Sequence, residues 1–239
     1  MKILGIETAT STTSVALQEE EKTLGQITTN TTIVHSKTLM PMIISLLDFT
    51  KTNINSIDVF AVSSGPGSFT GLRIGLAVTK GFAVAGSKPV AVVPTLEALA
   101  YNICFNAYFN KLVCAVLDAR CNNVYAGLFE YDETGKLLRR WQDRTVSVNV
   151  LKEDLKKLSN ELSKSVVLVG NAANLVCSDD CTFILKEGLI LPSAVSVCRL
   201  AFDKKYWCAA GEAMPEYLKP PQIDVSKKMQ NKKTEELQI

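Results

Sequence analysis

Two stretches of this chain carry the residue types that handle anions. The first, Gly5-Ile6-Glu7-Thr8-Ala9-Thr10-Ser11-Thr12-Thr13-Ser14, ends an apolar run in a carboxylate and follows it with hydroxyls. The second is Ser63-Ser64-Gly65-Pro66-Gly67-Ser68-Phe69-Thr70-Gly71-Leu72-Arg73-Ile74-Gly75, set between the apolar run 59–62 and a long helical pattern. Gly65 and Gly67 admit backbone shapes closed to other residues, and Pro66 stiffens the turn between them. Such a loop aims several N–H groups into one space. It either cradles an anion or lets a second backbone come close. Glu7, Thr8, Ser11, Gly65, Gly67 and Ser68 are the candidate nucleotide- or anion-binding residues.

Other candidates for chemistry are few. His35 is the only histidine. One histidine excludes the paired-His sites of zinc hydrolases, and Cys177 with Cys181 is a C-x-x-x-C pair standing alone. At the start of a helical pattern, His35 reads as a capping or surface residue rather than a general base. Ser63-Ser64-Gly65 is not a G-x-S-x-G nucleophile elbow. Asp118-Ala119-Arg120, at the end of an apolar strand, either closes a turn or orients a polyanion. The sequence therefore assigns no catalytic residue and no metal ligand.

These residues need elements to position them. Segments 2–8, 14–17 and 23–29 read as strands, and the hydroxyl-rich turn joins the first two. Over 35–50, Leu39, Met42, Ile43, Leu46 and Leu47 fall at helical spacing. A strand at 59–63 leads into the glycine-rich loop, a helix over 70–85, a strand at 90–93, and a short helix with Thr95 as its N-cap. The second half repeats the order: strands at 112–117, 123–130 and 137–142, a helix over 150–163, strands at 166–170 and 182–185, and a helix over 192–209. Three consecutive strands imply antiparallel hairpins, and strands after helices imply parallel crossovers. The prediction is an α/β chain in which a mixed sheet flanked by helices is used twice. Residues 1–102 form the N-terminal lobe, 103–221 the C-terminal lobe, and 222–239 a charged, poorly ordered tail. The helix over 70–85 is apolar all round, with Gly71 and Gly75 on one side. Either internal packing or a partner must cover it.

Composition bounds the function further. The 239 residues are 47% apolar and 21% charged, with a net charge of +2. That near-balance argues against a chain that grips nucleic acid alone. Seven cysteines without a C-x-x-C pair read as reduced thiols of a cytoplasmic protein. No signal peptide is visible at Met1, and the apolar stretches are too short or too interrupted to span a membrane.

The first loop is similar to the phosphate loop of the actin and sugar-kinase group. That group has Asp and Gly where Glu7 and Ala9 stand, and the Ala9 methyl blocks close backbone approach of a phosphate. A more specific resemblance covers residues 1 to about 220. Gly5-Ile6-Glu7-Thr8-Ala9-Thr10, the block at 63–75, Pro94-Thr95-Leu96-Glu97-Ala98-Leu99, Asp118-Ala119-Arg120 with Val124-Tyr125, and Pro215-Glu216-Tyr217-Leu218-Lys219 resemble the TsaB family, also called YeaZ. The resemblance implies an actin-like (ASKHA) fold of two ribonuclease-H-like lobes. It implies a cytoplasmic part in forming threonylcarbamoyl on adenosine 37 of tRNAs that read ANN codons.

In that family the subunit is a catalytically silent scaffold. It pairs with its paralogue TsaD, which carries the metal, the nucleotide and the transfer chemistry. A small ATPase, TsaE, joins the pair. The resemblance thus implies ATP and a divalent metal mainly on the partners, tRNA reached through the complex, and homodimers in isolation. Mapped onto this chain, the implied partner interface is Leu39, Met42, Ile43, Leu46, Gly71, Leu72, Gly75, Leu76 and Val78. On that mapping, Gly75→Arg or Leu76→Asp breaks pairing and leaves the monomer folded. The alternatives are a small-molecule kinase of the same fold and a metallopeptidase-like hydrolase.

Overall fold

Strand structure begins at the second residue because Lys2–Glu7 (β1) is apolar toward both faces; five of its six residues are buried. A strand of this kind needs cover on both sides. The computed structural model describes residues 1–31, 34–103, 111–177, 182–184 and 191–219. Cys104, Cys181 and the tail 222–239 lie outside the described residues.

β1 pairs antiparallel with Thr12–Glu19 (β2), and β2 with Lys22–Asn30 (β3). Helix His35–Thr50 (α1) carries the chain back, so that Val59–Gly65 (β4) runs parallel to β1. Helix Phe69–Gly86 (α2) makes the next crossover, to the parallel strand Val90–Pro94 (β5), which leads into helix Thr95–Ala100 (α3). The first sheet therefore runs β3-β2-β1-β4-β5. The second lobe follows with Leu112–Asp118 (β6), Asn123–Tyr131 (β7), Leu137–Arg139 (β8), Arg144–Ser147 (β9), helix Val148–Leu162 (α4), Val166–Val169 (β10), helix Ala173–Val176 (α5) and Thr182–Ile184 (β11). Its order, β8-β7-β6-β10-β11, repeats the first, and β9 also pairs with β7. The expected duplication of topology is present.

α1 and α2 cover one face of the first sheet. Leu39, Met42, Ile43 and Leu46 of α1 and Leu76 and Ala83 of α2 pack with Leu4, Ile6, Val15, Phe60 and Val62. The opposite face corrects the expected domain boundary. Residues from 194 onward, assigned from sequence to the C-terminal lobe, return to the first. Helix Ala194–Leu200 (α6) places Ala194, Val197 and Cys198 on Ile3, Ala16, Val59 and Ala61. The expected helix over 192–209 stops at Leu200. Trp207–Cys208 (β12) instead pairs antiparallel with β5, extending the edge of the first sheet. The physical cause is tertiary: an otherwise bare sheet face and edge are covered by a segment far along the chain.

α3 belongs to both lobes. Its Ala98 packs in the first, while Leu96, Leu99 and Ala100 pack with Val113, Ala115, Phe129 and Val167 of the second. Polar groups join the lobes at the same place. Arg139 of β8 donates to Glu97 Oε2 at 2.9 Å and also pairs with Asp143, and the Tyr206 hydroxyl donates to Glu97 Oε1 at 2.6 Å. Among the described residues no helix is long and apolar enough to cross a membrane.

Candidate functional site

The glycine-rich loop settles its own ambiguity. Gly67, Gly71 and Gly75 recur at intervals of four residues, and a Cβ at any of them would collide with Thr8 or Ala9: Ala9 O for Gly67, Thr8 O for Gly71, Thr8 Oγ1 for Gly75. They form a furrow in which the end of β1 lies. Three N–H groups of the loop are already engaged. Ser68 N donates to Ala9 O at 2.6 Å, Gly71 N to the N-capping Ser68 Oγ at 3.2 Å, and Gly65 N to Thr95 Oγ1 at 3.0 Å. Thr8 Oγ1 donates to Gly71 O at 2.8 Å. The three glycines thus serve the close approach of a second backbone, while Gly67 and Ser68 also line the cleft between the lobes. Thr95 is correspondingly not the N-cap of α3, as expected, but its first residue, with Pro94 capping.

Glu7 is fully buried, and its Oε1 accepts from Ala9 N at 2.6 Å. Its Oε2 and the Ser63 hydroxyl are buried beside each other, with no other hydrogen-bond partner for either. Burial pushes the carboxyl up from an ordinary 4.5 to about 7, against the opposing pull of the Ala9 N–H. A raised folded value means that the unfolded chain ionises first as pH rises. The Glu7 contribution to stability is therefore greatest below about 4.5, falls through the interval up to about 7, and stays low above it. At roughly 1.4 kcal/mol for each pH unit between the two values, the difference approaches about 3 kcal/mol. Glu7→Gln is expected to raise the melting temperature at pH 8 more than at pH 5 and to flatten the dependence between. Melts of the variant that track the parent at both pH values would show that Glu7 is not the source.

Between the lobes lies a cleft of about 610 Å³. Of the six anion-site candidates, only Ser11, Gly67 and Ser68 line it; Glu7 and Thr8 are spent inside the first lobe and Gly65 against the C-terminal segment. His35 also reaches the cleft, but both ring nitrogens are committed: Nε2–H donates to Thr10 O at 2.8 Å, and Nδ1 accepts from Thr13 Oγ1 at 2.7 Å. It pins the β1–β2 turn to α1 rather than capping the helix or activating a nucleophile. From the second lobe come Asp118, Arg120 and Tyr125. Asp118 Oδ1 accepts from Arg120 N at 2.7 Å, closing a turn in which Arg120, Cys121 and Asn122 have φ of 63°, 52° and 58°. Among the described residues no three His, Cys, Asp or Glu side chains gather where they could hold a metal ion.

The interface residues read from the sequence are also placed differently from expectation. Leu39, Ile43, Leu46 and Leu72 are at most 2% exposed, and Met42 and Leu76 are 7% exposed. Gly71 and Gly75 are buried in the furrow, and only Val78 is half-buried. These residues face the sheet rather than solvent, because the apolar stripe of an amphipathic helix is what the sheet takes first. The outward faces hold Met40, Ile44 (55% exposed) and Phe49 (82%) on α1, and Ala77, Gly81, Val84 (69%) and Ala85 on α2. A Cβ at Gly81 would meet nothing within 4 Å. No packing inside the monomer requires that glycine. Sequence reasoning missed these residues, although Phe49 was detectable as a large apolar residue off the core stripe.

Comparison with known proteins adds an independent line. Residues 13–178 match the family model described as TsaD: tRNA N6-adenosine threonylcarbamoyltransferase. The chain is 32% identical over 175 residues to the tRNA threonylcarbamoyladenosine biosynthesis protein TsaB of Bacillus subtilis, covering 73% of each chain. It is 29% identical over 226 residues to the protein of the same description from Escherichia coli, covering 92% of this chain and 95% of that one. Among solved structures, one from Pseudomonas aeruginosa, described as an uncharacterized protein with similarity to peptidase YeaZ, superposes with a TM-score of 0.76 at 25% identity over 91% of this chain and 99% of that one.

Proposed function

Because this chain belongs to the TsaB (YeaZ) family of tRNA threonylcarbamoyladenosine biosynthesis proteins, we infer that it takes part in making that modified nucleoside as a non-catalytic subunit. Its fold is the actin-like arrangement of two ribonuclease-H-like lobes. The partner is a TsaD-type subunit, docked on the outward faces of α1 and α2. The observation that carries this reading is the unused surface of those helices. Ile44 and Phe49 of α1 and Val84 of α2 stand in solvent, and the missing side chain of Gly81 on α2 serves no contact within the monomer. Exposed apolar groups around a flat, glycine-bearing helix face favour close approach by another helix.

The silent role is supported by the site. Ser68 N, Gly71 N and Gly65 N are taken by Ala9 O, Ser68 Oγ and Thr95 Oγ1, which leaves the loop fewer of the backbone donors that phosphoryl transfer requires. The hydroxyl that donates to His35 Nδ1 is that of Thr13, which is 2% exposed and does not line the cleft. Nucleotide, divalent metal and group transfer then fall to the partners, with TsaE as the ATPase, the tRNA bound by the assembly, and homodimers formed through the same face when TsaD is absent.

Reconstitution tests the reading. TsaD, TsaE, a threonylcarbamoyl-adenylate synthase, tRNA, threonine, bicarbonate and ATP are combined with and without this chain, and the modified nucleoside is quantified by mass spectrometry. Omission is expected to reduce it at least tenfold. Full modification without the chain sinks the proposal.

A further inference from the structure

The last described segment, residues 214–219, belongs to neither sheet yet is fastened to both lobes. On the first-lobe side, Glu216 N donates to Ser64 O at 2.7 Å. The Glu216 carbonyl occupies the space that a side chain at Gly65 would need, and Gly65 has φ of +127°. Position 65 is thus a glycine for two reasons: the left-handed side of φ space and the close approach of this segment. The Tyr217 ring packs on Phe69 with centroids 5.0 Å apart, and its hydroxyl accepts from Arg73 Nε at 3.0 Å. The Arg73 guanidinium lies 3.7 Å over the Phe69 ring, completing a three-layer stack at the start of α2. On the second-lobe side, Lys219 Nζ donates to Ala119 O at 3.2 Å, at the head of the hairpin whose residues 120–122 all have positive φ.

We propose that residues 214–219 are an inter-lobe strap that fixes the cleft angle by bonding, taking the place of a small molecule bridging the lobes. Among the described residues the lobes are joined at one end by α3 and the Glu97–Arg139–Tyr206 contacts. A pair of lobes connected at one end can hinge. The strap supplies a second connection across the cleft, and residues 216–219 form part of the cleft wall. Its bonds are satisfied by protein atoms on both sides, so the angle does not wait for a ligand. This inference is independent of the proposed partner and concerns the isolated chain.

Cross-lobe hydrogen exchange in the full chain tests it. Tyr217→Ala weakens the first-lobe anchor alone, removing the ring and hydroxyl contacts while the Glu216 N–H bond to Ser64 O stays, and Lys219→Met removes the second-lobe anchor. If the strap acts as one unit, Tyr217→Ala speeds amide exchange at Ala119 and Asn123 of the second lobe at least tenfold. Lys219→Met does the same at Gly65 and Ser68 of the first. Amides of β1 and β6 remain unchanged and report that the fold is intact. Acceleration confined in each variant to the lobe that was altered, or no acceleration at all, overturns the proposal. The double variant adds a second reading: its exchange should equal that of the worse single variant, because a strap freed at one end no longer constrains the other. Multiplicative effects would mean independent surface contacts and would equally overturn it.

Discussion

Gly81→Arg is expected to abolish association with a TsaD-type subunit while making the isolated chain slightly more stable. The two effects have separate origins. Residue 81 lies in the interior of α2, is exposed, and has open space where a side chain would go. Glycine there costs about 1 kcal/mol relative to a good helix former. Replacing it returns that stability, a rise of about 2–4 °C in melting temperature for a chain of this size. In the assembly the same side chain has to sit where a partner helix approaches. A long charged group in that position is expected to weaken binding at least a hundredfold, about 3 kcal/mol.

Phe49→Asp and Ile44→Asp act through the same surface and should each weaken binding at least tenfold with little change in the melt. Isothermal titration calorimetry with the partner and scanning calorimetry of the isolated chain read both quantities. Undiminished binding by Gly81→Arg and Phe49→Asp would show that this face is not the docking site, whatever the reconstitution assay reports. A fall in stability of Gly81→Arg would contradict the open space at Gly81.

Gly75→Arg is expected to unfold the monomer. From sequence alone this substitution is one that breaks pairing and spares the fold, and the structure reverses that expectation. A Cβ at residue 75 runs into Thr8 Oγ1, with Val62 and Ile6 side chains just beyond. Thr8 cannot simply move aside, because its hydroxyl is bonded to Gly71 O and its carbonyl lies over Gly71. Adding a methyl to a tight site of this kind costs roughly 1–3 kcal/mol. An arginine adds the burial of an unpaired charge, at several kcal/mol more. Against a total stability on the order of 5–15 kcal/mol, that suffices to lose the native state. Leu76→Asp should do likewise, since Leu76 belongs to the core shared by both helices and the first sheet. Far-UV circular dichroism and thermal melting decide the matter. A cooperative melt near that of the parent for Gly75→Arg would mean that the furrow yields, and the packing account of the three glycines would fall. Loss of partner binding by either variant says nothing about the interface, which is why Gly81 is the better probe.

Much of the architecture was legible because its signals are local. Apolar runs such as Leu112–Asp118 are strands buried on both faces, and the helical spacing of Leu39, Met42, Ile43 and Leu46 marks a helix with one greasy side. The order of three strands, a helix and a strand, met twice, already contains the repeated sheet. The segment after residue 192 was misread for the complementary reason. Its serine-led run of small and apolar residues fits a helix, but the pairing of Trp207 and Cys208 with Ala91 and Val90 is a contact across more than a hundred residues, and no local pattern announces it.

The amino-acid sequence by itself determined which elements form and that their pattern is used twice, because period, glycine placement and capping residues act within a few positions along the chain. Only the tertiary structure decided which face of each helix is left over, and whether glycines serve a ligand or a neighbouring strand. Burial is assigned by competition: the sheet claims the most apolar stripe, Thr8 and Ala9 claim the furrow of Gly67, Gly71 and Gly75, and function inherits the surfaces that no intramolecular contact has taken.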